Sequence, residues 1–314
     1  MVVFHKRPTI ALLISTLAVC VLYQYLKIDE AVVGVAKVDK VETKSDTNTT
    51  STGPTNCDHM PSTKVTTKPM WVASFPGSGA ELFRELVSTI TGQPTVDGAF
   101  KGACHDAVTC KTHWPVMNAK YRFQNPVPAG NYSDGMILLV RNPRHALPSW
   151  YNQIWESRVG VDFHSRQAPI RSWQRWSRRS SGVNLLTERI QQWKDMLEYW
   201  LDHVIYRVVL IVPYEQLIKE STGPDLLNQV GHILHHEMIP VSPDISCLWK
   251  YTVQEKKEMK RSNHSYEPAY TSEQQHQLLV VLTEVMERFS HLDDLVQVLK
   301  GYAWDIQNNL IIEE

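Results

Sequence analysis

The chain has 314 residues, with 32 Lys plus Arg against 33 Asp plus Glu, 43% hydrophobic residues and 5 Cys. It is too long for a disulfide-stapled miniprotein and too apolar for a disordered chain, and its size suits one large domain or two small ones. A formal net charge of −1 argues against a nucleic-acid binder working through bulk charge, so no nucleic-acid partner is expected.

In chain order, residues 1–8 form a short tail containing Lys6 and Arg7, and residues 9–26 are an uncharged run of 18. At about 1.5 Å per residue that run nearly matches a hydrocarbon core of about 30 Å, which predicts a transmembrane helix. It ends in Tyr23, Tyr25, Leu26 and Lys27 without a small-x-small cleavage site, so it reads as an uncleaved signal anchor. Lys6 and Arg7 precede the span, whereas Lys27 is followed at once by Asp29 and Glu30. The positive-inside bias then keeps the N-terminus cytosolic and gives a single-pass type II topology with a lumenal body. Beyond the span lie 30 basic and all 33 acidic residues, a formal charge of −3.

Residues 27–69 contain no Phe, Trp or Tyr, and 43–67 are crowded with Thr and Ser. Such a segment cannot bury enough apolar surface to offset its ordering entropy, and it is expected to be a flexible, O-glycosylated stem. Asn48, Asn131 and Asn263 each open an Asn-x-Ser/Thr acceptor sequon. Cys20 sits in the span, leaving Cys57, Cys104, Cys110 and Cys247 in an oxidising compartment with three possible pairings. Cys104 with Cys110 closes the shortest loop and is the first expectation. No metal site is expected: His235-His236-Glu237 lacks the spacing of a ligand face and reads as surface.

The body, residues 70–314, opens with the short apolar run MWVASF, then Pro76-Gly77-Ser78-Gly79, then AELFRELVSTI, in which Leu82, Phe83, Leu86, Val87 and Ile90 recur at helical spacing. Strand, glycine loop and helix in that order direct unpaired N–H groups and the helix dipole at one point, which is either an anion site or an ordinary tight turn. A Walker loop is excluded, because its spacing and lysine are missing. A β-prone run over residues 106–115 carries Lys111, Thr112 and His113. Met136 to Val140 is a strand, followed by Arg141 and a helix that Pro143 opens. Residues 185–202 read as helix, Arg207 to Val212 as a strand ended by Pro213, and 224–236 and 272–289 as helices. Apolar strands alternating with helices predict an α/β fold, a parallel sheet covered on both faces, with its functional loops at the carboxyl ends of the strands.

Those strand ends carry a set of groups that resembles the sulfotransferases using 3′-phosphoadenosine 5′-phosphosulfate. Pro76, Ser78 and Gly79 match the loop that wraps the 5′-phosphosulfate; Lys111, Thr112, His113 and Pro115 match the catalytic basic segment; Arg141, Asn142, Pro143 and Ser149 match the 3′-phosphate element. Tyr214-Glu215 is similar to a later family motif. Ser74 to Gly79, Arg84 and Thr91-Gly92 are closer to the WSC-domain-containing type, without a WSC domain. The resemblance spans residues 71 to about 217.

It implies a P-loop-NTPase-like fold. It also implies a Golgi enzyme that sulfates a hydroxyl of a glycan or glycoprotein, with His113 as general base and Lys111 as the catalytic cation. Pro76, Gly77, Ser78, Gly79, Ala80, Arg141 and Ser149 would hold the nucleotide. Ala80 and Glu81 depart from the family, which offers hydroxyls there; either Glu81 turns to solvent with Arg84 helping to neutralise the site, or the loop binds poorly. Lys260 or Arg261 would supply a C-terminal 3′-phosphate contact. Two other readings stay open, a degenerate glycan- or nucleotide-binding protein tethered to the membrane and a tyrosylprotein sulfotransferase. Arg171, Arg175, Arg178 and Arg179 interleaved with Trp173 and Trp176 suit an acidic sugar, or else an amphipathic helix with its tryptophans packed inward.

Overall fold

The computed structural model describes residues 57, 68–97, 104, 107–113, 115, 135–162, 165–178, 185–202, 207–255 and 266–308. The expected span at 9–26, the three sequons, Arg179, Lys260 and Arg261 lie outside these residues. Among the described residues no helix is long and apolar enough to cross a membrane.

Five strands carry the fold: β1 (Met70–Ser74), β2 (Thr95–Asp97), β3 (Thr109–Thr112), β4 (Gly135–Val140) and β5 (Arg207–Pro213). They form one sheet in the order β2-β3-β1-β4-β5, every neighbouring pair parallel. Side chains alternate across a strand, and here both faces are buried. Trp71, Ala73, Met136 and Leu138 enter one core, whereas Met70, Val72, Ile137 and Leu139 enter the other. This double burial is why β1 and β4 are unbroken apolar runs. Pro213 closes β5 in register with Val140, where the sheet no longer needs its missing N–H.

The second core lies under α1 (Ala80–Thr91). The first lies under α2 (Pro143–Val159), α3 (Ile170–Arg178) and α4 (Leu185–Leu201). After β5 come α5 (Tyr214–Leu217), α6 (Gly223–His236) and α7 (Ile245–Lys250), followed by a π-helical turn over Tyr251–Glu255. The helix α8 (Ser272–Arg288) starts on a capping box in which Thr271 Oγ1 accepts from the Gln274 N–H and Gln274 Oε1 from the Thr271 N–H. Then α9 (Asp293–Asn308), which the sequence reading left without an element, returns to the first core through Leu295, Leu299, Tyr302 and Ile306.

Cys104 pairs with Cys110 as expected, and Cys57 pairs with Cys247 in α7. The second bridge ties a residue of the expected stem to the core under α1, against which Cys57 packs.

Candidate active site

In an open parallel sheet, ligands bind beyond the carboxyl ends of the strands where connections leave in opposite directions. Here β1 leads toward β2 and β4 toward β5, so the crevice opens between β1 and β4. Three sequence-expected segments converge on it.

The first is the loop after β1. Gly77 has φ 80° and Gly79 has φ 82°, a region that non-glycine side chains rarely adopt. Space also enforces glycine: a Cβ on Gly77 would strike the backbone of Ala146 and Trp150 in α2, and one on Gly79 would strike the Tyr214 ring. The Ser78 N–H donates to Phe75 O at 3.1 Å, and α1 begins with Phe83 N–H to Gly79 O at 3.0 Å. Gly79 caps the helix without a side-chain bond, so the first-turn N–H groups of Ala80, Glu81 and Leu82 precede the first intrahelical bond. Ser78 is 1% exposed, and its Oγ has no hydrogen-bond partner among the described residues. A buried, unmatched hydroxyl beside a helix N-terminus fits an anionic ligand better than an ordinary turn.

The second segment is the end of β3. Lys111 is in register with Val72 on one side and Asp97 on the other, so its side chain shares the α1 face with that carboxylate. Its Nζ lies 2.9 Å from Asp97 Oδ2 and 2.6 Å from Glu81 Oε1, while Arg84 Nη1 holds the second Glu81 oxygen at 2.8 Å. Glu81 therefore does not turn away: it bridges Arg84 and Lys111. Burial raises its carboxyl pKa, but the hydrogen bond and charge of Lys111, with Arg84, bring it below the ordinary value.

Two residues beyond Lys111, on the same face, His113 Nδ1 lies 2.7 Å from Ser74 O and 3.3 Å from Ser74 Oγ. A carbonyl only accepts, so Nδ1 carries the proton and Nε2 keeps its lone pair. Burial, then the charge of Lys111, lowers the His113 pKa from an ordinary 6.5 to about 4 against the opposing effect of Ser74, and the ring is neutral at pH 7.

The third segment follows β4. Arg141 Nη1 donates to Gly77 O at 2.6 Å, its guanidinium lies 4.4 Å from the centre of the Tyr214 ring, and Glu215 stands 4.0 Å from its Nε. Arg141 is thereby fastened to the loop. Ser149 sits half-buried one residue before Trp150, on the turn of α2 that abuts Gly77, and makes no hydrogen bond to Arg141 among the described residues.

Glu215 is the hub beneath this corner. It accepts from the Asn142 N–H at 3.0 Å and from Tyr302 Oη at 2.8 Å. Burial, then Glu215, pushes the Tyr302 pKa well up, so the phenol stays a donor. Asp305 accepts from Asn142 Nδ2 at 2.9 Å and Arg144 Nη1 at 3.1 Å. Asp97, Tyr302 and Asp305 were not foreseen. Asp97 ends a three-residue strand, and the other two reach the site from α9, with nothing local to mark them.

Among the described residues, the cluster of Cys57, Asp244 and Cys247 has ligand-type atoms close together, but its two sulfurs are bonded to each other and offer no thiolate. On α3, Trp173 and Trp176 pack inward against Tyr151 at 5.6 and 4.9 Å between ring centres, while Arg171, Arg175 and Arg178 face solvent. The tryptophans pack as an amphipathic helix requires and neither indole is available to stack on a sugar, whereas the arginines stay exposed. Compared with family models and with curated proteins, the chain matches none.

Proposed function

We propose that the chain is a sulfotransferase that moves a sulfuryl group from 3′-phosphoadenosine 5′-phosphosulfate to a hydroxyl of a glycan or glycoprotein. On this reading it is held in the Golgi membrane by residues 9–26, with its α/β domain lumenal and of the P-loop-like sulfotransferase type. The observation that carries the reading is the pairing of a tautomer-fixed, neutral His113 with Lys111 beside the Pro76 to Ala80 loop. Reactions that transfer a highly charged group ask a protein chiefly for alignment, cations and one well-placed base.

The bound donor supplies an activated sulfuryl group whose bond to the nucleotide phosphate oxygen breaks as the acceptor oxygen bonds to sulfur. His113 Nε2 takes the proton of the attacking hydroxyl, while Nδ1–H on Ser74 O fixes the ring. Lys111 exchanges Glu81 for the incoming anion and neutralises charge on the transferring group and the leaving phosphate. A ligand that brings more negative charge to Lys111 than the displaced Glu81 raises the basicity of His113, while burial, the larger cause of its lowered pKa, remains. The Ser78 hydroxyl and the first-turn N–H groups of α1 donate to the 5′ end of the ligand. Arg141 and Ser149 serve the 3′-phosphate, Arg141 also bracing Gly77.

A second reading has one specific observation in its favour: Glu81 already occupies Lys111. A permanent pair would make the chain a binding protein on a disabled sulfotransferase scaffold. Calorimetry with 3′-phosphoadenosine 5′-phosphate, run beside a labelled-sulfate transfer assay over uncharged, acidic and peptide acceptors, separates them. The enzyme binds and transfers; the disabled scaffold never transfers, whatever the acceptor.

A further inference from the structure

Most Arg and Lys side chains elsewhere on the helices are ion-paired, with Lys250 and Lys300 the exceptions among the described residues. Arg144 meets Asp305, Lys194 meets Glu284 and Glu198, Arg288 meets Asp202 and Glu198, and Arg189 meets Glu188. The stretch from the end of α2 through α3 differs. Arg158, Arg166, Arg171, Arg175 and Arg178 are all exposed, and among the described residues none of the five has an ion-pair partner. The acidic groups nearby in sequence do not balance them: Asp162 is a single exposed carboxylate, and Glu156 is fully buried, accepting from the Arg166 N–H at 3.0 Å.

Three of these arginines form a line. Positions 171, 175 and 178 are four and three residues apart, so they share one face of α3 over roughly 10 Å of helix. Trp173, Trp176 and Ser177 occupy the opposite, buried face. The line lies against the site's own scaffold, because Trp173 and Trp176 pack on Tyr151. Its neighbour Trp150 meets Phe75 edge-on at 5.3 Å and lies against Gly77.

We infer that this arginine face docks an acidic polysaccharide, a chain of carboxylated or sulfated sugars whose negative charges recur along its length. The inference rests on the proposed transferase reading in one respect only, that the docked polymer is the acceptor. All five cations are Arg, whose weakly hydrated planar fork pairs two N–H groups with carboxylate or sulfate oxygens. Among the described residues, the large exposed apolar side chains flanking the face are Val159 and Ile170, too little to anchor a protein partner, which needs a buried apolar centre.

The test uses the full chain in detergent, with heparin as the probe. Wild type is compared with the triple variants Arg171→Glu/Arg175→Glu/Arg178→Glu and Arg171→Lys/Arg175→Lys/Arg178→Lys, and with the single variant Arg175→Glu in case the triple reversal does not fold. Losing three charge-assisted contacts should weaken heparin binding by about tenfold or more, the single reversal by about threefold, and the Lys variant least, with nucleotide affinity unchanged in all of them. Undiminished heparin binding by Arg175→Glu and the folded triple Glu variant overturns the inference. So does equal binding of phosphatidylserine vesicles or duplex DNA through the same arginines. If heparin binding depends on these arginines but no variant, nor wild type, binds the nucleotide, the docking face stands and the transferase reading falls.

Discussion

Lys111 Nζ lies 2.6 Å from Glu81 Oε1, joining the end of β3 to the first turn of α1 at the point where an anion would enter. Lys111 is 7% exposed and Glu81 is 59% exposed, so the cation is fixed while its partner borders solvent. Asp97 holds the same ammonium from the neighbouring strand and keeps it in place when Glu81 leaves.

Removing the Glu81 charge should therefore help a nucleotide anion. A carboxylate at a helix N-terminus competes with a ligand for the same dipole, an effect of about 1 kcal/mol, or roughly fivefold in affinity. Calorimetry on Glu81→Gln should show 3′-phosphoadenosine 5′-phosphate binding tighter by about that factor. Weaker binding would mean that Glu81 supports the loop rather than occupying the anion position.

The His113 resonance in a proton NMR titration of the full chain, assigned by its loss in His113→Ala, should have its midpoint near pH 4 in the free protein, where burial and Lys111 depress it. It should move upward when the nucleotide adds negative charge beside Lys111 beyond that of Glu81. The linkage has a definite sign. The unfolded ring titrates near 6.5 and the folded one near 4, so between those values the unfolded chain binds more protons. The contribution of the neutral ring is complete above pH 6.5 and is lost as pH falls toward 4. The decline in unfolding free energy over that window should be shallower in His113→Asn; an unchanged slope would show that His113 is not depressed.

Two glycines should fail for different reasons. Gly79→Ala and Gly77→Ala each force a left-handed backbone on a side chain, a strain of about 1–3 kcal/mol, with a collision in addition. At Gly79 the obstacle is the Tyr214 ring, so the Gly79→Ala penalty should shrink in a Tyr214→Ala background. At Gly77 it is the backbone of α2, and Tyr214→Ala should bring no relief. Urea unfolding of wild type, the three single variants and the two double variants supplies both cycles; equal relief at both positions would contradict the packing described.

Arg141→Ala should raise the Kd of the 3′-phosphorylated nucleotide about tenfold more than that of the 3′-dephospho form, the loss of one charge-assisted bidentate contact. Equal losses would assign Arg141 only to bracing Gly77, to which it donates at 2.6 Å.

Much of this frame was legible in the sequence, and the parts that were not share a physical cause. Met70 to Ser74 and Met136 to Val140 could be read because strands buried on both faces are continuous apolar runs. The loop glycines stood out because the chain there needs φ near 80°. By contrast, Thr95–Asp97 is three half-buried residues with no pattern to detect. The partnership of Glu81 with Lys111 joins residues 30 apart, and it follows from strand register, which local sequence does not encode. Tyr302 and Asp305 act 87 and 163 residues from Glu215 and Asn142, in a helix whose amphipathic stripe marks a core face and no polar task.

The central claim is that His113 is the base of a sulfuryl transfer at this crevice. It is tested most directly by incubating wild type and His113→Ala with sulfur-labelled 3′-phosphoadenosine 5′-phosphosulfate and a glycan acceptor, while measuring nucleotide affinity for both. The prediction is label in the acceptor with wild type, transfer lowered by about 10² to 10⁴ in the variant, and equal nucleotide affinity. Wild-type turnover in His113→Ala, or nucleotide binding without transfer by wild type to any acceptor, would contradict it.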